Sequence, residues 1–179
     1  MGVAAFAPGR LVPYWYRDEF RPVAPSMPAK HTHDLRSAAM AFHPYLFFSG
    51  GTCRDAFSRY QEIFGGDLEV LTNADAPPDA AMPGAGPDTV MHAALTIGDS
   101  MLMGSDDPTG DGGAMTGTAV SYTAADGAEA KRLFDALAEA GTVTMPFSPT
   151  FWSEGFGMCT DRFGVPWMVG APAPDAPTT

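Results

Sequence analysis

His43-Pro-Tyr-Leu-Phe-Phe-Ser-Gly-Gly51 leads, through Thr52, into apolar residues at Cys53, Ala56, Phe57, Tyr60, Ile63 and Phe64. Tyr45 to Ser49 is short and almost wholly apolar, which predicts a buried strand. The spacing that follows places one apolar stripe along a helix. The plan recurs further along. Ala119-Val-Ser-Tyr-Thr123 precedes a second stripe at Ala130, Leu133, Phe134, Leu137 and Ala140. A strand, a helix and a glycine stop, written twice, describe a duplicated module.

The punctuation around each helix extends the pattern. Thr52 is expected to cap the first helix and Gly65-Gly66 to end it. A second strand is predicted over Leu68–Thr72, followed by a loop rich in Pro, Ala and Asp over 74–88. Thr89–Ile97 and Ser100–Ser105, joined by Gly98-Asp99, read as a hairpin. Residues 106–113 read as an acidic, glycine-rich loop. In the second half, a strand over about 118–123 precedes Asp126 and Glu129, spaced as a capping box. Gly141 is expected to close that helix. Strands follow near Thr142–Phe147, Phe156–Thr160 and Val165–Val169, the last two joined by Asp161-Arg-Phe-Gly164. The fold class is therefore α+β: two paired βαβββ modules, about 43–105 and 117–170, forming a curved mixed sheet around a cleft.

The two ends differ from this domain of residues 40–170. Residues 1–39 carry Pro8, Pro13, Pro22, Pro25 and Pro28 and no sustained periodicity, so they read as an irregular extension. Met40 directly precedes the first module, as it would if translation began there and the extension were an over-extended start. The rival reading is an ordered arm that uses Tyr14, Trp15 and Tyr16 to cover a surface. The segment 171–179 is Pro/Ala-rich and reads as a frayed tail.

Charge narrows the function classes. The chain of 179 residues has a net charge of −11. Residues 1–39 hold five of the ten Lys/Arg and three of the 21 Asp/Glu, leaving five basic and eighteen acidic residues, −13, on the remainder. Such a surface repels phosphate backbones and anionic lipid, which argues against nucleic-acid and membrane partners. It favours neutral or cationic small molecules. No apolar run approaches the roughly 20 residues of a membrane span. Cys53 and Cys159 are the only cysteines. Without a CxxC motif or a Cys/His cluster they suggest neither zinc nor a disulfide framework, and a reducing, cytoplasmic location is expected.

The strings PYLFFSGGTCRDAFSRYQEIFGG, VMHAALTIGDSMLMGSD and FGMCTDRFGVPWMV resemble the vicinal oxygen chelate superfamily. That group includes glyoxalase I, bleomycin-resistance proteins and extradiol dioxygenases, and the match looks most like its PhnB-like subgroup. The resemblance covers about residues 42–170. It implies a dimer, because sheets in this family are often completed or exchanged between subunits. Some of the subgroup carry a demethylubiquinone methyltransferase name. A nucleotide-like methyl donor calls for a glycine-rich strand-to-helix turn in a parallel sheet. The two-residue turn Gly50-Gly51 and the predicted hairpins do not supply one.

In metal-dependent relatives the ligands, normally His, Gln or Glu, come from the first strand and a later strand of each module. The resemblance implies a fourth ligand four residues after the Gly of Asp161-Arg-Phe-Gly164, where this chain has Met168. A thioether is a poor donor for the divalent ions of that chemistry. Ser100-Met-Leu-Met-Gly104 has no carboxylate, and Ala119-Val-Ser121 offers no good ligand. His43 alone is a weak candidate for a metal position. A cofactor is therefore not assigned, although a divalent metal stays open.

Strand alternation nominates other site residues. Met91, Ala93 and Leu95 share one face of their strand, and Val90, His92, Ala94 and Thr96 the other. With the first set under the helix, His92 faces the cleft, where an imidazole can orient a carbonyl or transfer a proton near neutral pH. Phe151-Trp-Ser-Glu-Gly-Phe-Gly157 matches a family segment at the mouth of the second module. It supplies Trp152 as a flat wall and Glu154 as a charge; relatives often have a basic residue where this chain has Gly155. His92 and Glu154 are thus the catalytic candidates, and Trp152, Phe156, Met103, Met168 and Tyr45 the ligand-binding ones. Two functions compete. One is a metal-independent protein of the PhnB-like kind that binds a small organic molecule in the cleft between its modules. The other is a metal-dependent lyase or isomerase of the glyoxalase type, using His43, His92 and Glu154.

Overall fold

Strands β1 (Tyr45–Ser49), β2 (Asp67–Thr72), β3 (Val90–Ile97) and β4 (Ser100–Asp107), with helix α1 (Cys53–Phe64), make the first module. The second consists of β5 (Val120–Thr123), α2 (Gly127–Ala138), β6 (Thr142–Thr150), β7 (Ser153–Thr160) and β8 (Pro166–Gly170). These elements come from a computed structural model that describes residues 41–77, 79–82, 84–107, 110 and 115–173. The expected N-terminal extension, with Tyr14, Trp15 and Tyr16, lies outside the described residues.

Each module has its own mixed four-stranded sheet, ordered β1-β4-β3-β2 and β5-β8-β7-β6. The first strand of each module runs parallel to the last, and the other neighbours are antiparallel. The registers correspond position by position. Tyr45, Met103, Ala94 and Glu69 form one row across the first sheet. Ser121, Met168, Met158 and Met145 form the equivalent row across the second.

Both helices bury their apolar stripes. Cys53, Ala56, Phe57, Tyr60 and Ile63 of α1, and Ala130, Leu133, Phe134 and Leu137 of α2, are buried. They join the inward residues of both sheets, among them Phe48, Leu95, Trp167 and Val169, in one core. Aromatic packing ties the modules together, with Tyr60 5.2 Å from Trp167 and Phe64 4.8 Å from Tyr122 between ring centroids. Because the helix sides of both sheets meet in this core, the opposite faces lie on the outside of the chain.

Several local expectations change. Thr52 makes no side-chain cap. Asp106 supplies it instead, its Oδ1 accepting from the Cys53 amide at 3.0 Å and its Oδ2 from the Val90 amide at 2.8 Å. Asp106 is therefore a buried strand residue, not part of an acidic loop. Strict alternation also fails in β3. A register shift at Leu71/Thr72 pairs Thr72 with Val90, and Val90 joins the core. The turn after α2 puts its positive φ of 57° on Ala140. Gly141 is required for a different reason: a Cβ there would strike the Thr160 carbonyl oxygen, as one at Gly66 would strike that of Thr96. The capping box forms as expected, with Asp126 Oδ1 accepting from the Glu129 amide at 2.8 Å. Strands β6 and β7 extend to a hairpin around Phe151-Trp152. Ala171 is buried, and its amide donates to the Gly155 carbonyl, so the tail begins beyond it.

Candidate functional site

On the open face of the first sheet, Tyr45, Phe47, Met103 and His92 come together. Tyr45 pairs with Met103 across β1 and β4, while Leu71 pairs with His92 across β2 and β3. Tyr45 Oη lies 3.2 Å from His92 Nδ1, and their ring centroids are 5.7 Å apart. Phe47, two residues on and 47% exposed, packs against Tyr45 in a tilted pair with ring centroids 5.1 Å apart. Burial holds the Tyr45 phenol above its ordinary pKa; hydrogen bonding with Ser105 opposes this, and the nearby Cys53 thiol adds to it. The phenol is thus protonated at neutral pH. With Tyr45 donating to Nδ1 the imidazole proton sits on Nε2, leaving Nε2–H as a donor; in the other tautomer Nδ1–H donates to the phenol oxygen.

The open face of the second sheet carries Ser121, Phe156, Met158 and Met168. At its β6–β7 tip, Phe151 and Trp152 meet edge to face at 4.5 Å, with Trp152 a further 6.1 Å from Phe156. Phe151 is 96% exposed and Trp152 49%. An exposed indole backed by phenyl rings is a flat wall with an N–H at its edge, suited to stacking and cation–π contact.

Two candidates fall elsewhere. Glu154 Oε2 accepts from the Gly127 amide at 3.0 Å, holding the first turn of α2, and does not join Tyr45 or His92. A carboxylate there is favoured by the helix dipole and consumed by the orphan N–H. His43 is exposed and precedes β1. A groove of about 560 Å³ opens beside Gly50, Gly51, Asp88, Asp106 and Asp107, but both Asp106 carboxylate oxygens already serve backbone amides.

The first and last strands of the two modules present Tyr45, Met103, Ser121 and Met168 on their open faces. A phenol, a hydroxyl and two thioethers do not fit a hard or borderline divalent ion. Among the described residues, no three His, Cys, Asp or Glu side chains gather to hold one. Phe47 and Ser105, paired two residues on from Tyr45 and Met103, join this face by simple alternation. Met145 was not foreseeable, since backbone irregularities set its direction.

The family model described as the Glyoxalase/Bleomycin resistance protein/Dioxygenase superfamily matches residues 45–169. The chain is 36% identical over 139 residues to protein YjdN of Escherichia coli (strain K12), spanning 73% of this chain and 94% of that protein. The crystal structure of protein PA1353 from Pseudomonas aeruginosa is 46% identical, with a TM-score of 0.68, covering 75% of this chain and 98% of that one. A Bacillus cereus PhnB protein, named a putative 3-demethylubiquinone-9 3-methyltransferase, shares the fold at 24% identity. Its TM-score is 0.59, with 74% of this chain and 99% of that one covered. Among the described residues, no helix is long and apolar enough to cross a membrane.

Proposed function

Because the chain belongs to the Glyoxalase/Bleomycin resistance protein/Dioxygenase superfamily, we propose that it binds a small organic molecule, neutral or cationic and partly aromatic. The binding protein is a homodimer without the superfamily's full divalent-metal site. The carrying observation is the placement of the two half-sites. Tyr45, Phe47 and His92 lie on one outward face and Trp152, Phe156 and Met168 on another, with the shared core between the sheets. A cleft using both therefore needs a second copy, the first module of one chain facing the second module of the other.

His92 Nε2–H donates to a carbonyl or hydroxyl of the ligand, Trp152 stacks on its ring, and the methionines conform to its apolar edge. The charge of −13 on residues 40–179 disfavours anions, and Gly155 offers no basic clamp against that field. Methyl transfer is disfavoured, because the short Gly50-Gly51 turn joins β1 to α1 in a mixed sheet and not in a parallel one. A glyoxalase-type metal reaction needs His43, His92 and Glu154 on one ion, whereas Glu154 is engaged with α2.

A thermal-shift panel of neutral, cationic and anionic aromatic probes, with metal analysis of the purified protein, tests this reading. Stabilisation by the first two classes is expected, with well under one equivalent of zinc, nickel, manganese or iron. Stabilisation by anions alone, or stoichiometric divalent metal kept through dialysis, overturns it.

A further inference from the structure

Met145, Met158 and Met168 are cross-strand partners on three adjacent strands, Met145 opposite Met158 and Met158 opposite Met168. All three are half-buried, yet none is among the partly buried residues packed against the core. They stand on the open face of the second sheet. The equivalent row of the first sheet has Ala94 and Glu69 where this one has Met158 and Met145, so the cluster belongs to one module only.

The backbone bends to make this row. Val143 pairs with Cys159 and Met145 with Met158, so Thr144 is an extra residue in β6; a second irregularity lies between Met145 and Ser148. On the far side of it Phe147 faces the helix, 5.5 Å from Phe134. Without the two irregularities Met145 would share the face of Phe147. Bulges re-aim single side chains, and here they put Met145 on the sheet face of the other two.

We propose that Met145, Met158 and Met168 form a three-thioether site for a soft monovalent cation, Cu(I) or its analogue Ag(I). Cross-strand Cβ atoms are about 4.5–5.5 Å apart, and three rotatable bonds per side chain let the sulfurs converge from that spacing. Thioethers select Cu(I) over hard and borderline divalent ions. The acidic surface concentrates cations, and the neutral ligands add no charge to be desolvated with the metal. The row lies within one chain, so the site forms without a dimer.

Anaerobic titration of the full chain with Cu(I), in competition with bathocuproine disulfonate, tests the site, with X-ray absorption reading its neighbours. One equivalent with three sulfur neighbours is expected. Thioethers do not titrate, so affinity should stay flat from about pH 7 to 5, where thiolate and imidazole sites weaken. Each Met→Leu change conserves volume and should keep the thermal midpoint. Each should lower Cu(I) affinity by at least the roughly 10–100-fold that outer-shell losses cost, and Met101→Leu should leave it unchanged. Failure to compete for Cu(I), fewer than three sulfur neighbours, affinity that falls with pH, or binding that survives the triple leucine variant overturns the proposal.

Discussion

Tyr60, in the first module's helix, donates its hydroxyl to Asp161 Oδ2 at 2.6 Å, in the turn before the second module's last strand. The same carboxylate accepts from Trp167 Nε1 at 2.9 Å and from the backbone amides of Phe163 and Val165 at 2.9 and 3.0 Å. Asp161 pairs with no cation among the described residues, and such a buried carboxylate is tolerable only when its lone pairs are satisfied, as they are here. Burial, then repulsion from Asp161, raises the Tyr60 pKa, so the phenol stays a donor.

Tyr60→Phe removes one donor from this charged acceptor and should destabilise the fold by about 1.5–3 kcal/mol. Urea unfolding measures it. Because the modules share a core, the transition should remain single and shift as a whole; an unchanged midpoint would show that the bond contributes nothing.

Capping of the first helix gives a second contrast. Asp106, not Thr52, accepts the Cys53 amide, and it also holds Val90. Thr52→Ala should stay within about 0.5 kcal/mol of the parent. Asp106→Asn places an amide NH₂ against one of two buried backbone donors and should cost about 1–3 kcal/mol. Equal effects from the two substitutions would return the cap to Thr52.

The thiols set an alkaline limit. Burial, reinforced by Asp106, pushes Cys53 from 9.0 up to about 12, and burial, reinforced by Asp161, pushes Cys159 to about 11. The unfolded chain ionises first, so the folded state binds more protons above pH 9 and stability falls as pH rises beyond it. Below pH 9 the two thiols contribute no slope. Chemical denaturation at stepped pH should show the decline, and Cys53→Ala should flatten it. A flat profile from pH 9 to 11 would contradict the burial of both thiols.

The modules and most of their strands were legible because apolar periodicity and glycine punctuation are local signals. Tyr45–Ser49 and the stripe from Cys53 to Phe64 emerged with their boundaries intact. The misses share a cause in tertiary structure. The cap from Asp106, the inward turn of Val90 and the outward turn of Met145 depend on contacts or bulges between distant strands, which no single-strand alternation reveals. Nothing local in the sequence joins His92 to Tyr45; only the register of β1, β4, β3 and β2 makes them neighbours. The charge of Glu154 suggests a place in the cleft, but the amide of Gly127, far away in sequence, holds it.

At the second half-site, Trp152→Ala should weaken binding of a cationic aromatic probe by roughly 1–3 kcal/mol, through lost stacking or cation–π contact. Higher salt should weaken the same probe by screening the acidic field. Titration of parent and variant at two ionic strengths reads both effects. Salt-independent binding would remove the electrostatic part of the account.

Complementation between two binding-deficient variants tests whether the cleft is built from two copies. His92→Ala damages one half-site and Trp152→Ala the other, so each homodimer carries two impaired clefts. After unfolding and refolding the two chains together in equal amounts, half the dimers are mixed, and each mixed dimer holds one cleft with both residues intact. Titration with the cationic aromatic probe that most stabilises the parent should recover roughly a quarter of the parent's high-affinity sites. Recovery of none, with the refolded mixture shown to be dimeric, would contradict a cleft built from two copies and return the site to a single chain.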